Sequence, residues 1–246
     1  MASIIIPGRR AFLGSIGAAA AFFHTKGLYA QALTETAATT EGPFYPDKMP
    51  LDTHNDLIIV NDSVTPAVGE VTWLSGKVLS SAGEPMRNAF VEIWQCDTQQ
   101  SFRHTNGANK TVDSSFQGYG RYLTDSTGRY QFRTIKPVAY TLMNQFRAPH
   151  IHVAISRNGR RLFTTQFGIR GNRDNAIDQV FKGLAPAQLQ TVMADFKPMP
   201  GSKAGELVAD FNLVLNKTAS EGDDGVLRGG IGKKEGMRMP RRPQRQ

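Results

Sequence analysis

The 246-residue sequence predicts an all-β fold, an antiparallel β-sandwich with short helices and a disordered basic tail. Three observations predict it. Apolar and polar residues alternate with a period of two through most of the chain. The apolar runs are short and bounded by Gly, Pro, Asn and Asp. Stretches with the 3.6-residue period of a helix are few and brief. Apolar residues make up 40% of the chain and charged residues 20%, enough for a substantial core and contrary to global disorder.

Taken in order, residues 71–79 read as the first strand, with a bulge expected at Gly76. Ala82-Gly83-Glu84-Pro85 is a turn that leads to a strand over 89–94. Asp125-Ser126-Thr127-Gly128 turns the chain into a strand over 130–135. Residues 150–156 and 162–167, joined through Asn158-Gly159, form a predicted hairpin, because Asn-Gly accepts the positive φ that a tight hairpin turn requires. Residues 206–215 are a late strand. Residues 175–184 and 186–196 are the two helical stretches. Trp73 and Trp94 read as core side chains, and Cys96 as a small buried hydrophobe.

Both ends lie outside this body. Gly8-Arg9-Arg10-Ala11-Phe12-Leu13 resembles a twin-arginine export signal, in which paired arginines precede an apolar stretch. That stretch, 12–23, is too short for a comfortable membrane span, and small residues follow near Ala30 and Ala32. A buried N-terminal helix is the alternative. The expected division is a signal peptide over 1–30, a folded domain over 31–220 and a tail over 221–246. The tail is rich in Gly, Arg and Pro and has too little apolar surface to offset the entropy of ordering it. An exported, periplasmic protein with no stable membrane span after processing is expected.

The net charge of +8 belongs to these ends: residues 1–30 contribute +3 and residues 225–246 contribute +6, which leaves −1 for the rest. No nucleic-acid-binding face is therefore expected on the folded domain. A single cysteine excludes an intramolecular disulfide and a thiolate-rich metal site.

The candidate chemistry centres on Arg147-Ala148-Pro149-His150-Ile151-His152. In a strand, residues two apart share a face, so His150 and His152 can meet one ion. The same spacing also suits a half-buried polar strand face. Tyr140 and Arg147, close by in sequence, add an oxygen donor and a fixed positive charge.

Five segments occur in an order that resembles the intradiol ring-cleavage dioxygenases, the family of catechol and protocatechuate dioxygenases. They are Thr40-Glu41-Gly42-Pro43-Phe44-Tyr45-Pro46, Val91-Glu92-Ile93-Trp94-Gln95, Gly118-Tyr119-Gly120-Arg121, Thr134-Ile135-Lys136-Pro137 and the Arg147–His152 run. The resemblance covers roughly residues 39–170. It implies a prealbumin-like β-sandwich and a mononuclear non-haem Fe(III) held by two Tyr and two His. It also implies a catechol-type substrate and dioxygen as partners, with the ring cleaved between its two hydroxylated carbons to a cis,cis-muconate-type diacid. A homo-oligomer is in keeping with it. By the same resemblance, His150 and His152 match the histidine ligands, and Tyr140 the tyrosine that leaves the metal when substrate binds. Arg147 matches the active-site arginine, and Gln166, in Thr164-Thr165-Gln166-Phe167, a glutamine behind the ligands.

One ligand departs from the pattern. The family's other tyrosine follows the Trp-Gln strand by a short loop, in a pattern like Tyr-Arg-His; here the residues are Phe102-Arg103-His104. A phenyl ring has no oxygen to offer a metal. Because anionic phenolates stabilise the hard Fe(III) ion, the substitution leaves the centre one negative charge short. Three readings follow. Solvent takes the ligand's place, or one of Asp97, His104, Tyr119 and Tyr122 moves in. In the third, the chain is a catalytically degenerate module that binds aromatics or serves as structure. Retention of Tyr140, Arg147, His150 and His152 favours the enzyme.

Overall fold

A computed structural model describes residues 32–60, 65–105, 111–142, 144–215, 220–221 and 227–228. The expected signal peptide lies outside the described residues. Strands dominate: β1 (Val71–Ser80), β2 (Phe90–Trp94), β3 (Tyr119–Leu123), β4 (Arg129–Ile135), β5 (Tyr140–Leu142), β6 (Gln145–Arg147), β7 (His150–Arg157), β8 (Arg160–Ile169), β9 (Met193–Pro198), β10 (Leu207–Asp210) and β11 (Leu213–Leu215). Among the described residues, helical structure is limited to 3-10 turns at Arg173–Ala176 and Phe181–Gly183 and to one short helix, α1 (Pro186–Gln190). The all-β expectation is met.

The arrangement differs from a purely antiparallel sandwich. Nine strands form one continuous sheet in which β1 is followed by β10, β9, β8, β7, β2 and β3, while β4 pairs with β1 and β11 continues β10 along it. Three of its ladders are parallel: β1 with β10, β1 with β11, and β8 with β9. The sheet curls until its last strands, β3 and β4, meet. Side chains at alternate positions fill the inside, among them Leu74, Val78, Val91, Ile93, Phe132, Ile151, Val153, Ile155 and Phe167.

The late strand is broken at Phe211 and Asn212 into β10 and β11, both parallel to β1. The bulge expected at Gly76 is absent, since β1 pairs with β4 without interruption from Val71 to Lys77. It is the partner that breaks there. The backbone of Phe211 comes so close that a Cβ on Gly76 would stand 2.1 Å from the Phe211 carbonyl oxygen. Of the helical stretch 186–196, only the first turn is a helix and Met193 onward is β9; pairing with β8 and β10 overrides local propensity. Residues 175–184 contain only 3-10 turns. Trp73 is 40% exposed and donates to Glu206 Oε1 at 3.0 Å, so it is not a core residue. In the tail, the described residues Leu227 and Arg228 pair with Ser220 and Glu221 in a two-residue antiparallel ladder.

The hairpin β7–β8 turns at Asn158 (φ 49°) and Gly159 (φ 67°), as the Asn-Gly pair requires. All but the last residue of β7 is buried, so both faces of this strand are covered. Ile151, Val153 and Ile155 enter the main core. His150, His152, Ala154 and Ser156 face the other way, beneath a strap formed by residues 36–47 and a loop over 95–105. The strap crosses the molecule through Thr36 N–H to Val214 O at 2.9 Å, Thr165 Oγ1 to Ala37 O at 2.7 Å and Thr39 N–H to Thr164 O at 3.2 Å. It covers the free edge of β8, which would otherwise expose unpaired backbone groups.

Candidate metal centre

The i, i+2 parity of β7 puts both imidazoles on the face away from the main core. His150 Nδ1–H donates to Ala148 O at 2.6 Å, which leaves Nε2 with its lone pair, and the two Nε2 atoms face one another at 3.2 Å. Two nitrogens about 2.1 Å from one cation and roughly at right angles stand about 3 Å apart, so this separation suits two ligands of a single ion. Burial, followed by the nearby Arg147 charge, pushes His150 down to about 4. Burial also pushes His152 well below its ordinary value, helped by His150 and Arg147. Both rings are therefore neutral at neutral pH, the form in which imidazole binds metals.

Tyr140 opens β5, and its ring lies 5.4 Å from that of His150. Its hydroxyl is buried and makes no well-formed hydrogen bond, with the Arg147 guanidinium as its polar neighbour. Burial raises its pKa, against the opposing pull of the Arg147 charge. A buried phenol without a well-formed hydrogen bond costs stability, and Tyr140 could satisfy its oxygen by joining the two imidazoles in holding a cation. The described residues contain no cluster of three or more His, Cys, Asp or Glu suited to a metal. The donor set on offer is two imidazoles and one phenol oxygen.

Arg147, at the end of β6, is clamped from two sides. Its Nε donates to Asp178 Oδ2 at 2.9 Å, and its Nη2 donates to Gln166 Oε1. Gln166 sits opposite His152 on β8 and passes its own Nε2–H to Thr40 O at 2.7 Å, tying the arginine to the strap. Asp178 belongs to this site although no motif in the sequence marks it. Its carboxylate also accepts the N–H groups of Ala148, Val180 and Phe181 at 2.8–2.9 Å. Burial alone would raise its pKa, but the Phe181 N–H and the Arg147 guanidinium outweigh that and hold it low. The only trace in the sequence was an Asp at a turn start, a common feature of loops.

Phe102 is brought into the same cluster. It is 4% exposed, stacks on Phe44 at 4.4 Å and meets the Tyr140 and His152 rings edge-on at 5.5 and 6.3 Å. Asp97 fixes the loop that carries it, accepting the N–H groups of Gln99, Ser101 and Asp113 at 2.7–2.9 Å. That use of both carboxylate oxygens removes Asp97 as a replacement ligand. His104 is bonded through Nε2 to Gln117 O at 2.9 Å, Tyr119 donates its hydroxyl to Glu92, and Tyr122 packs on Phe132 at the main core. None of the four is turned to the histidine pair.

Trp94 stacks on His152 at 4.9 Å, 11° from parallel, and so fixes the imidazole plane as well as filling space. Gly42, at φ +72°, passes so close that a Cβ there would stand 3.3 Å from His152 Cε1. Behind Trp94 lies a second cluster that sequence reasoning missed, around the fully buried Glu92. Glu92 accepts from Tyr45, Tyr119, Ser156 and Arg161. Cys96 is buried, and burial pushes its thiol up to about 12, as an inert packing residue requires. His54 pairs with Asp52 at 3.0 Å, away from the centre.

A family model described as Dioxygenase matches residues 40–217. The chain is 34% identical over 154 residues to the protocatechuate 3,4-dioxygenase beta chain of Burkholderia cepacia, covering 60% of this chain and 65% of that one. It is 31% identical over 208 residues to catechol 1,2-dioxygenase 2 of Acinetobacter lwoffii, covering 74% and 72%. Among the curated relatives it matches, it spans as little as 47% of one and 65% of another. Its fold is similar to that of catechol 1,2-dioxygenase from Acinetobacter sp. ADP1, with a TM-score of 0.58 at 21% identity, covering 92% of this chain and 74% of that one. The chain belongs to the intradiol ring-cleavage dioxygenase family.

Proposed function

We propose that the protein is an iron-dependent dioxygenase that opens a catechol-type aromatic ring between its two hydroxylated carbons, consuming dioxygen and yielding a cis,cis-muconate-type diacid. The observation that carries this reading is the facing pair His150 Nε2 and His152 Nε2, with the buried Tyr140 ring packed on His150 and a clamped arginine beside them, in a chain of this family. His150, His152 and Tyr140 are the proposed ligands of one non-haem iron, Fe(III) in its reacting form. When bound, iron supplies polarising charge and open positions for the two oxygens of a catechol.

The protein's own groups do the rest. The imidazoles offer lone pairs because burial keeps them neutral. Tyr140, as phenolate, is the base for a catechol proton. Arg147 keeps its charge at any working pH, and Asp178 and Gln166 hold it where negative charge develops on the ring. Trp94, Phe44 and Phe102 form an aromatic wall that excludes water. Export to the periplasm through the twin-arginine segment belongs to the same proposal.

A second reading, a module that binds aromatics without turnover, is favoured by one observation: the phenyl ring of Phe102 in place of a ligand. Oxygen uptake by the iron-loaded protein with catechol, together with the mass of the product, separates the two. Uptake with a product heavier by two oxygen atoms, lost in His152→Ala, supports the enzyme. Saturable catechol binding with no oxygen uptake supports the module.

A further inference from the structure

We propose that Phe102 biases this centre toward a divalent cation, so that its resting metal is ferrous rather than ferric. The inference rests on the reading of Tyr140, His150 and His152 as ligands. Those three supply two neutral nitrogens and a single oxygen able to carry negative charge. Among the described residues, every other side chain against them is uncharged or cationic: Phe102, Phe44 and Trp94 are rings, Cys96 beside Tyr140 is a thiol that burial keeps protonated, Gln166 opposite His152 is an amide, and Arg147 adds a positive charge. The nearest carboxylate, Asp178, is fully buried and spent on Arg147 and three backbone N–H groups.

Among the described residues, nothing nearby replaces the missing anion. Asp97, His104 and Tyr119 are bound elsewhere, and the stack on Phe44 pins Phe102 in place. A triply charged ion is left with one unit more uncompensated charge than a doubly charged ion in the same shell. That difference weighs more in a buried site than in water. Two histidines and one oxyanion with open positions resemble the donor set of ferrous centres.

The test loads the full-length protein with Fe(II) under argon, removes free metal and measures bound iron. Its midpoint potential is then titrated with ferricyanide, which takes one electron from Fe(II) to give Fe(III), and back with dithionite, which returns it, mediator dyes relaying the electrons. Phe102→Tyr, which restores a phenol, is the comparison. The expected result is bound iron in both proteins, with the natural chain at least about 59 mV higher in potential. That corresponds to a tenfold larger ratio of Fe(II) to Fe(III) affinity. Phe102→Tyr should also gain visible phenolate-to-Fe(III) absorption. Equal potentials in two iron-loaded proteins overturn the inference and leave the ligand reading standing. Iron bound by neither overturns both. Should Phe102→Tyr fail to fold, the natural chain decides: iron that stays ferric and coloured in excess ascorbate overturns the inference, and colourless ferrous iron supports it.

Discussion

Arg147 shows how much a single side chain depends on what holds it. Its guanidinium is 11% exposed and donates through Nε to an Asp178 that is fully buried, so its direction is set by two planar partners rather than by solvent. Lysine keeps the charge but has no fork to reach Asp178 and Gln166 at once. Arg147→Lys is therefore expected to lower kcat/KM for catechol cleavage by about 10²–10³-fold, the range seen when one fixed donor to a developing anion is lost. Iron content should be unchanged, because the three proposed ligands are untouched. Steady-state kinetics with metal analysis on the same sample checks both halves. At this scale the sequence was informative where chemistry follows from spacing: the parity of His150 and His152 was readable before any fold was known. It was silent on Asp178, which reaches Arg147 across 31 positions from a turn whose place in the fold depends on packing. Phe102 was legible as a departure, but that Asp97, His104 and Tyr119 are all otherwise engaged became visible only from their partners in three dimensions.

Among the elements, β1 carries the lesson that a strand can look irregular because of its neighbour. Gly76 sits in an unbroken ladder with β4, while on the other edge the chain steps from β10 to β11. Phe211 N–H donates to Ser75 O at 2.9 Å, and Tyr130 donates its hydroxyl to Phe211 O. An added methyl group at Gly76 would meet both that carbonyl and, at 2.8 Å, the Tyr130 hydroxyl. Backbone on one side and a buried ring on the other leave little room to yield, so Gly76→Ala should cost about 1–3 kcal/mol, as overpacked cores do. A lower denaturation midpoint with an unchanged urea m-value would register it. The hairpin was predictable from Asn158-Gly159 alone. Its bulge was not: between Ser156 and Arg161 the register slips past Leu162, which turns Leu162 into the core and Arg161 toward Glu92. Parallel pairing of β1 with β10 and β11 was equally hidden, because strand partners more than a hundred positions apart leave no local signal.

For the molecule as a whole, the decisive contact is the one that fastens the strap to the sheet. Arg161 reaches two carboxylates with very different surroundings. Glu41, on the strap, is 45% exposed and pairs at 2.6 Å, whereas Glu92, in the sheet, is fully buried and pairs at 3.2 Å. The shorter bond is the weaker anchor, because water screens an exposed pair to about 1 kcal/mol or less. Glu92 in contrast gathers the Tyr45 hydroxyl of the strap at 2.8 Å, the Tyr119 hydroxyl, Ser156 and Arg161 around one carboxylate with no solvent in reach. Replacing it with glutamine preserves volume but leaves Arg161 without its buried counter-ion, and a broken buried pair of this kind costs about 3–5 kcal/mol. The damage should also be directional. Tyr45 packs edge-on against Trp94 at 5.1 Å, and Trp94 stacks on His152, so a loosened strap frees the wall of the metal centre. Glu92→Gln is thus expected to lower the stability of the folded protein and to expose residues 36–47 to limited proteolysis at denaturant concentrations where the β-sheet is still intact by circular dichroism. Glu41→Gln should do neither. If the two variants are cleaved at the same rate, the strap is held by its backbone bonds to β8 and β11 and not by the buried carboxylate.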